Sequence, residues 1–174
     1  DAAGNAAVEV TRTVIVEDTL PPVITLTGSA SVTIEAGSEY VDAGAMASDT
    51  TDGAIVVVVD NKVNTQVPGS YLVSFSAKDA AGNAAVEVTR TVIVQDTLLP
   101  VITLTGPASV TIEAGAEYTD AGATASDTLD GAITVEVDNK VNTQVPGSYL
   151  VSFTATDAAG NAAVEVTRTV IVED

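Results

Sequence analysis

A block of 78 residues occurs twice in succession, so the fold must be one that 78 residues can complete and that tolerates end-to-end repetition. Thr19 to Asp96 aligns with Thr97 to Asp174 without a gap, with 11 differences and 67 identical positions. Asp1-Ala2-Ala3-Gly4-Asn5 returns at Asp79 to Asn83 and at Asp157 to Asn161, so residues 1–18 match the tail of each copy. The expected organisation is a final strand of a preceding repeat over 1–18, one domain over 19–96 and a second over 97–174. The chain reads as an excerpt of a longer array.

Each copy lies at the small end of what folds independently, where the core is thin. With no Cys in the chain, no disulfide supports that core, and Val, Ile, Leu and Ala must supply it. Twenty-four acidic residues face six Lys and Arg, a net charge of −18 that excludes nucleic acid as a partner. No run of 18 apolar residues is present, so no membrane insertion is expected in this segment. The absence of His and Cys removes the usual general bases and thiol nucleophiles, and with them the expectation of an enzyme.

No segment has helical periodicity, whereas short runs of Val, Ile and Thr alternate with Gly, Pro, Asn and Asp clusters. In the first copy these runs predict strands at 23–27, 31–35, 43–48, 55–60, 63–66, 71–78 and 85–95. Seven strands in fewer than 80 residues predict an all-β fold, a two-sheet sandwich rather than a closed barrel. The differences between copies then assign faces, because a position that is Val in one copy and Glu in the other lies outside the core. Val58/Glu136 and Val56/Thr134 point outward, which places Ile55, Val57 and Val59 inward. Ser76/Thr154 and Lys78/Thr156 likewise place Tyr71, Val73, Phe75 and Ala77 inward, and Met46/Thr124 leaves Ala45 and Ala47 inside. In the last strand Arg90 shares its parity with Val86, Val88, Val92 and Val94, an arrangement that predicts a bulge or a position beyond the core edge.

The ordered motifs Asp18-Thr19-Leu20-Pro21-Pro22, Val23 to Gly28, Asp49-Thr50-Thr51-Asp52-Gly53, Pro68-Gly69-Ser70-Tyr71 and Asp79 to Asn83 span the whole repeat. Together they resemble the immunoglobulin-like repeats of large bacterial surface proteins, which are similar to hyalin-type and cadherin-like modules. The resemblance implies tandem immunoglobulin-like sandwiches serving as extracellular spacers in adhesins and secreted enzymes. It also marks two departures: Leu98-Leu99-Pro100 replaces the usual linker, and Ala54 and Ala132 stand where an acidic residue often follows Asp-Gly. Pro68 to Tyr71 reads as a tyrosine corner, with the inward Tyr bonding back to nearby backbone.

In such a sandwich the second-to-third and sixth-to-seventh strand loops share a pole with the N-terminus. That pole gathers Asp18, Asp49, Asp52, Asp79 and Asn83 at one junction, and Asp96, Asp127, Asp130, Asp157 and Asn161 at the next. Calcium accepts six to eight hard oxygens in irregular geometry, so calcium at the domain junctions is one expectation, and ordinary Asp and Asn turn chemistry is the other. The function expected from these features is a semi-rigid stalk in adhesion, on the cell surface or secreted. Its partners are neighbouring repeats of the same chain, with homotypic self-association into a fibre or layer as one alternative. A second alternative is sugar binding beside a secreted enzyme, for which Tyr40 and Tyr118 would be the stacking platforms.

Overall fold

The structure, a computed structural model, describes residues 1–174 and contains strands but no helix. The first repeat has seven strands: β1 Val23–Leu26, β2 Ser31–Glu35, β3 Ala45–Asp49, β4 Gly53–Ile55, β5 Val57–Asn61, β6 Gly69–Ala77 and β7 Val88–Gln95. The second repeats them as β8 Val101–Leu104, β9 Ser109–Glu113, β10 Ala123–Asp127, β11 Gly131–Ile133, β12 Glu136–Asn139, β13 Gly147–Thr154 and β14 Val166–Glu173. In each repeat a three-stranded sheet (β1-β3-β4, β8-β10-β11) accompanies a four-stranded one (β2-β7-β6-β5, β9-β14-β13-β12). The result is two sandwich-like domains.

β2 runs parallel to β7, with Glu35 opposite Gln95, and β9 runs parallel to β14, with Glu113 opposite Glu173. Because parallel strands point the same way, the end of β2 lies beside the residues that leave β7. That placement brings Glu35 to the linker.

Alternation along the strands puts the expected residues inside. In the second repeat Val151, Phe153 and Val170 are fully buried and pack with Ile102, Ala125 and Ala155. Val73, Phe75, Ala77, Val92 and Val94 are the buried counterparts in the first. Each buried Val or Phe contributes about 1.5–3 kcal/mol, so a few residues carry most of a small core. Met46 points out and Ala47 in, as the differences between copies require.

The structure corrects the strand expectations at four places. The run expected over 55–60 is two strands: β4 pairs with β3, β5 pairs with β6, and the chain changes sheets at the exposed Val56. Val59 is not inward but 47% exposed, because β5 is an edge strand that keeps only Val57 half-buried. Residues 63–66 form no strand, and Thr65 and Gln66 lie in a turn. The Asn64 side chain accepts the Gln66 N–H at 3.0 Å, and the Thr65 carbonyl accepts the Gly37 N–H at 2.7 Å. The last strand begins at Val88, so Val86 lies outside it and is exposed.

Arg90 departs furthest from expectation, since it occupies neither a bulge nor the core edge. It is 1% exposed, and its guanidinium is ion-paired with Asp42. Nε donates to the Ser29 carbonyl at 2.8 Å, and Nη2 donates to the carbonyls of Thr27 at 2.5 Å and Gly44 at 3.3 Å. The guanidinium carbon lies 5.6 Å from the Phe75 ring centroid, within cation–π range. Arg168 repeats the arrangement with Asp120, Pro107, Thr105, Gly122 and Phe153. Full hydrogen bonding is what makes a buried charge tolerable here, and it joins one sheet to the turns that close the other.

The tyrosine corner is present in both copies: Tyr71 donates to the Val67 carbonyl at 2.8 Å and Tyr149 to the Val145 carbonyl at 2.9 Å. Over residues 6–18 no strand is formed, and Val8, Val10, Val14, Ile15 and Val16 are exposed. Asp1 to Asn5 nevertheless closes into a loop, in which Asp1 Oδ1 accepts the Ala3 and Asn5 N–H groups at 3.0 Å. The same pentapeptide closes in both sandwiches, so its shape is a local property.

Candidate metal centre

At one end of each sandwich three elements meet: the linker Asp, the β3–β4 turn (β10–β11 in the second repeat) and the Asp-Ala-Ala-Gly-Asn loop. The turn is held by its first Asp. Asp127 Oδ1 accepts the N–H groups of Leu129 at 2.7 Å and Asp130 at 3.2 Å, as Asp49 does for Thr51 and Asp52. Asp49 and Asp52 thus belong to the third-to-fourth strand turn, not to the second-to-third loop expected. Asp130 Oδ2 accepts the Ala158 N–H at 2.8 Å, and Asp52 accepts that of Ala80, which ties the turn to the loop.

Within the loop, Asp157 takes both the backbone and the side-chain amide of Asn161, at 2.7 and 2.8 Å. Asn161 Nδ2 also donates to the Asp96 carbonyl at 3.2 Å, and Asn83 Nδ2 reaches the Asp18 and Leu20 carbonyls at 3.2 and 3.3 Å. Each linker Asp then caps its own turn, with Asp96 Oδ1 accepting the Leu98 N–H at 3.3 Å and Asp18 Oδ1 that of Leu20 at 3.2 Å. The preceding strand contributes a further brace. Glu35, at the end of β2, accepts the Thr97 N–H and hydroxyl, both at 2.7 Å.

Of the ten predicted residues the fold therefore gathers six, in two groups. Asp18, Asp49 and Asp52 form one, and Asp96, Asp127 and Asp130 the other; in each group one carboxylate oxygen of every residue lies within 4.8 Å of the other two. Asp79, Asn83, Asp157 and Asn161 share the same ends but brace loop and linker instead of joining the groups. The turn chemistry anticipated from the sequence is present, and an aspartate that caps a turn with one oxygen still has a second. Glu35 escaped sequence reasoning. Its only signal is the matching Glu113, and no sequence pattern reveals that parallel pairing carries a strand end to the linker.

The electrostatics of the second group are unfavourable without a counter-charge. Burial holds the Asp96 carboxyl above the usual range, and the carboxylates of Asp127, Asp157 and Glu35 push it the same way. For Asp157 and Asp79, burial acts in that direction too, but the hydrogen bonds from Asn161 and Asn83 outweigh it and hold both carboxyls low. Asp120 is likewise penalised by burial and carried below its ordinary value by Tyr118 and Arg168. In metal-free buffer these shifts act at different pH. Because the folded state takes up the Asp96 proton before the unfolded chain does, its contribution to stability grows as pH falls through that raised value. The contributions of Asp157, Asp79 and Asp120 are lost only as pH falls below about 3.9, towards their depressed folded values. Thermal melts should therefore show stability rising from pH 7 to a maximum above about pH 4 before it falls. A steady decline from pH 7 downward would contradict this assignment.

The whole repeat, with its two sheets and paired turn carboxylates, matches the model of a known family over residues 24–94 and again over 102–172. That family is described as bacterial surface protein, Ig-like domain. The chain belongs to this family. Its two matched segments leave out the linker residues Asp18 and Asp96. The chain is also similar to hyalin from Lytechinus variegatus, with 32% identity over 188 residues that cover 99% of this chain and 35% of hyalin. It thus spans about a third of that relative's length. Among solved structures, a lipoprotein of Bacteroides thetaiotaomicron has 27% identity and a TM-score of 0.38 over 43% of this chain and 38% of its own. Human protocadherin-24 EC1-2 has 14% identity and a TM-score of 0.37 over 90% of this chain and all of its own. No helix here is long and apolar enough to cross a membrane.

Proposed function

We propose that the chain is a stretch of tandem modules from an extracellular surface protein and that it acts as a semi-rigid, non-catalytic spacer in adhesion. The observation that carries this reading is the bracing of the linker. The Asp96 carbonyl accepts a hydrogen bond from Asn161, Thr97 donates two to Glu35, and Pro22 and Pro100 are buried at the two linkers with φ fixed by their rings. A loose tether of Gly and Ser would carry neither feature. The surface setting is supported by family membership and by the similarity to hyalin, and the non-catalytic character by the lack of His and Cys.

The half-burial of Tyr40 and Tyr118 gives the sugar-binding alternative little support, since stacking needs an open ring face. At roughly 3.3 Å per residue, the longest strand, β6 with nine residues, extends about 30 Å, so an array would project a distal site well away from its anchor. Small-angle scattering of the chain should show a narrow distribution of lengths. Replacing the linker (Thr97→Gly, Leu98→Ser, Leu99→Gly, Pro100→Ser) should broaden it. Identical scattering from the two chains would remove the basis for a semi-rigid spacer.

A further inference from the structure

Three acidic residues in a cluster are common on protein surfaces, and by themselves they indicate nothing. The group at Asp96, Asp127 and Asp130 differs in having buried oxygens with nothing to bond. Asp96 and Asp127 are each 9% exposed, and the Oδ2 atom of each is buried without a hydrogen-bond partner. Their Oδ1 atoms, and Oδ2 of Asp130, are committed to backbone amides, so the residues are held in place while one oxygen of each carboxylate stays free. None of the three is ion-paired: Arg90 and Arg168 serve Asp42 and Asp120, and Lys140 serves Asp138. A buried anionic oxygen with neither donor nor counter-ion is costly, and two of them in one cluster of three carboxylates amount to a built site for a cation.

We infer that Asp96, Asp127 and Asp130 bind a calcium ion through the free oxygens of their carboxylates, and that Asp18, Asp49 and Asp52 form the equivalent site of the first repeat. The first group repeats the pattern in a more open form: Asp18 Oδ2 is also buried without a partner, and Asp52 is exposed. This inference does not depend on the spacer reading. The ligand class follows from the chemistry. All donors are hard carboxylate oxygens, with no His or Cys in the chain, which disfavours zinc and the softer transition metals. Three aspartates on a turn and a linker do not impose octahedral geometry, so the site suits calcium, which accepts irregular coordination completed by water, better than magnesium. Three carboxylates with waters imply an affinity in the range of extracellular modules, about 10⁻⁴–10⁻³ M. Ala54 and Ala132, which follow the Asp-Gly of each turn, add no ligand and are consistent with a site in that weak range.

Asp127→Asn in the full chain separates this proposal from a purely structural role for the cluster. Asn keeps the Oδ1 that caps the turn but replaces the lone anionic oxygen with an amide, so the metal-free protein should melt higher than wild type by about 2–5 °C. Calcium at 10 mM should raise the melting temperature of wild type by at least about 5 °C relative to NaCl of equal ionic strength, and that rise should be much reduced in the second repeat of Asp127→Asn. Isothermal titration should lose the heat of one site in Asp127→Asn and of the other in Asp49→Asn. Asp130→Asn, at an exposed position, serves as the control should Asp127→Asn fold poorly, and it too should weaken calcium binding. A wild-type response that NaCl reproduces, or calcium binding unchanged in both Asp127→Asn and Asp130→Asn, overturns the site. An equal response to magnesium overturns the assignment to calcium.

Discussion

Asp120→Ala is expected to destabilise the second repeat by about 3–5 kcal/mol, a large part of the 5–15 kcal/mol typical of a whole domain. The substitution leaves the Arg168 guanidinium, 1% exposed, without its carboxylate, and carbonyl bonds from Thr105, Pro107 and Gly122 cannot neutralise it. Arg168 does not escape by losing its proton, since its bond to Asp120 already holds its pKa above the ordinary guanidinium value and even unpaired it remains charged at any usable pH. The substitution also removes the acceptor of the Gly122 N–H, at 2.6 Å, and of the Tyr118 hydroxyl. Denaturant unfolding followed by circular dichroism and tyrosine fluorescence should show one transition moving to much lower denaturant. Asp42→Ala should do the same through Arg90. The paired replacement Asp120→Leu with Arg168→Met should recover much of the loss, because the penalty lies in the uncompensated charge more than in the bond itself. A loss below about 1 kcal/mol for Asp120→Ala would mean that Arg168 reaches solvent in the folded state.

Phe153→Ala should cost a similar amount, about 3–5 kcal/mol, by a different route. Phe153 is fully buried at the centre of the second core, in a cluster with Val151 of its own strand and Val170 of the adjacent β14. Truncation leaves a cavity in a core too small to collapse around it, and it strips the aromatic face from Arg168, 5.6 Å away. Phe153→Leu restores most of the volume without the ring face, so its loss should be clearly smaller, about 1–2 kcal/mol. Unfolding midpoints for the two variants separate the contributions. Equal losses would show that the cation–π contact, and not the cavity, dominates.

Much of this architecture was legible in the sequence because two nearly identical copies act as an internal control. Val58/Glu136 and Met46/Thr124 identify outward positions without any structure, and alternation then finds Val73, Phe75 and Ala77 inside. The method fails where alternation itself is interrupted. At Val56 the chain changes sheets, and Asn64 converts an apparent strand into a turn by accepting the Gln66 N–H. Arg90 was visible as an anomaly, but the obvious remedies for a charge among apolar residues were misplaced. The partner, Asp42, lies 48 residues away in a loop, and no spacing rule connects them.

The candidate site divides in the same way. Residue type and turn chemistry indicated which carboxylates gather at one end of each sandwich, since an Asp that opens a turn can cap it with its own side chain. What sequence could not separate was a carboxylate whose oxygens are both satisfied, as in Asp157, from one with an oxygen left over, as in Asp127. That distinction depends on which amides the turns bring within about 3 Å, a matter of geometry summed over three chain segments. Sequence by itself therefore determined the repeat, the strand class, the inward parity and the closed Asp-Ala-Ala-Gly-Asn loop, all of which arise from contacts between near neighbours or from alternation. Only the tertiary structure decided the sheet switch at Val56, the buried Arg–Asp pairs, the reach of Glu35 to the linker and the unpartnered oxygens of Asp96 and Asp127. Each of these depends on residues distant in sequence, whose meeting is fixed by strand order and direction rather than by local pattern.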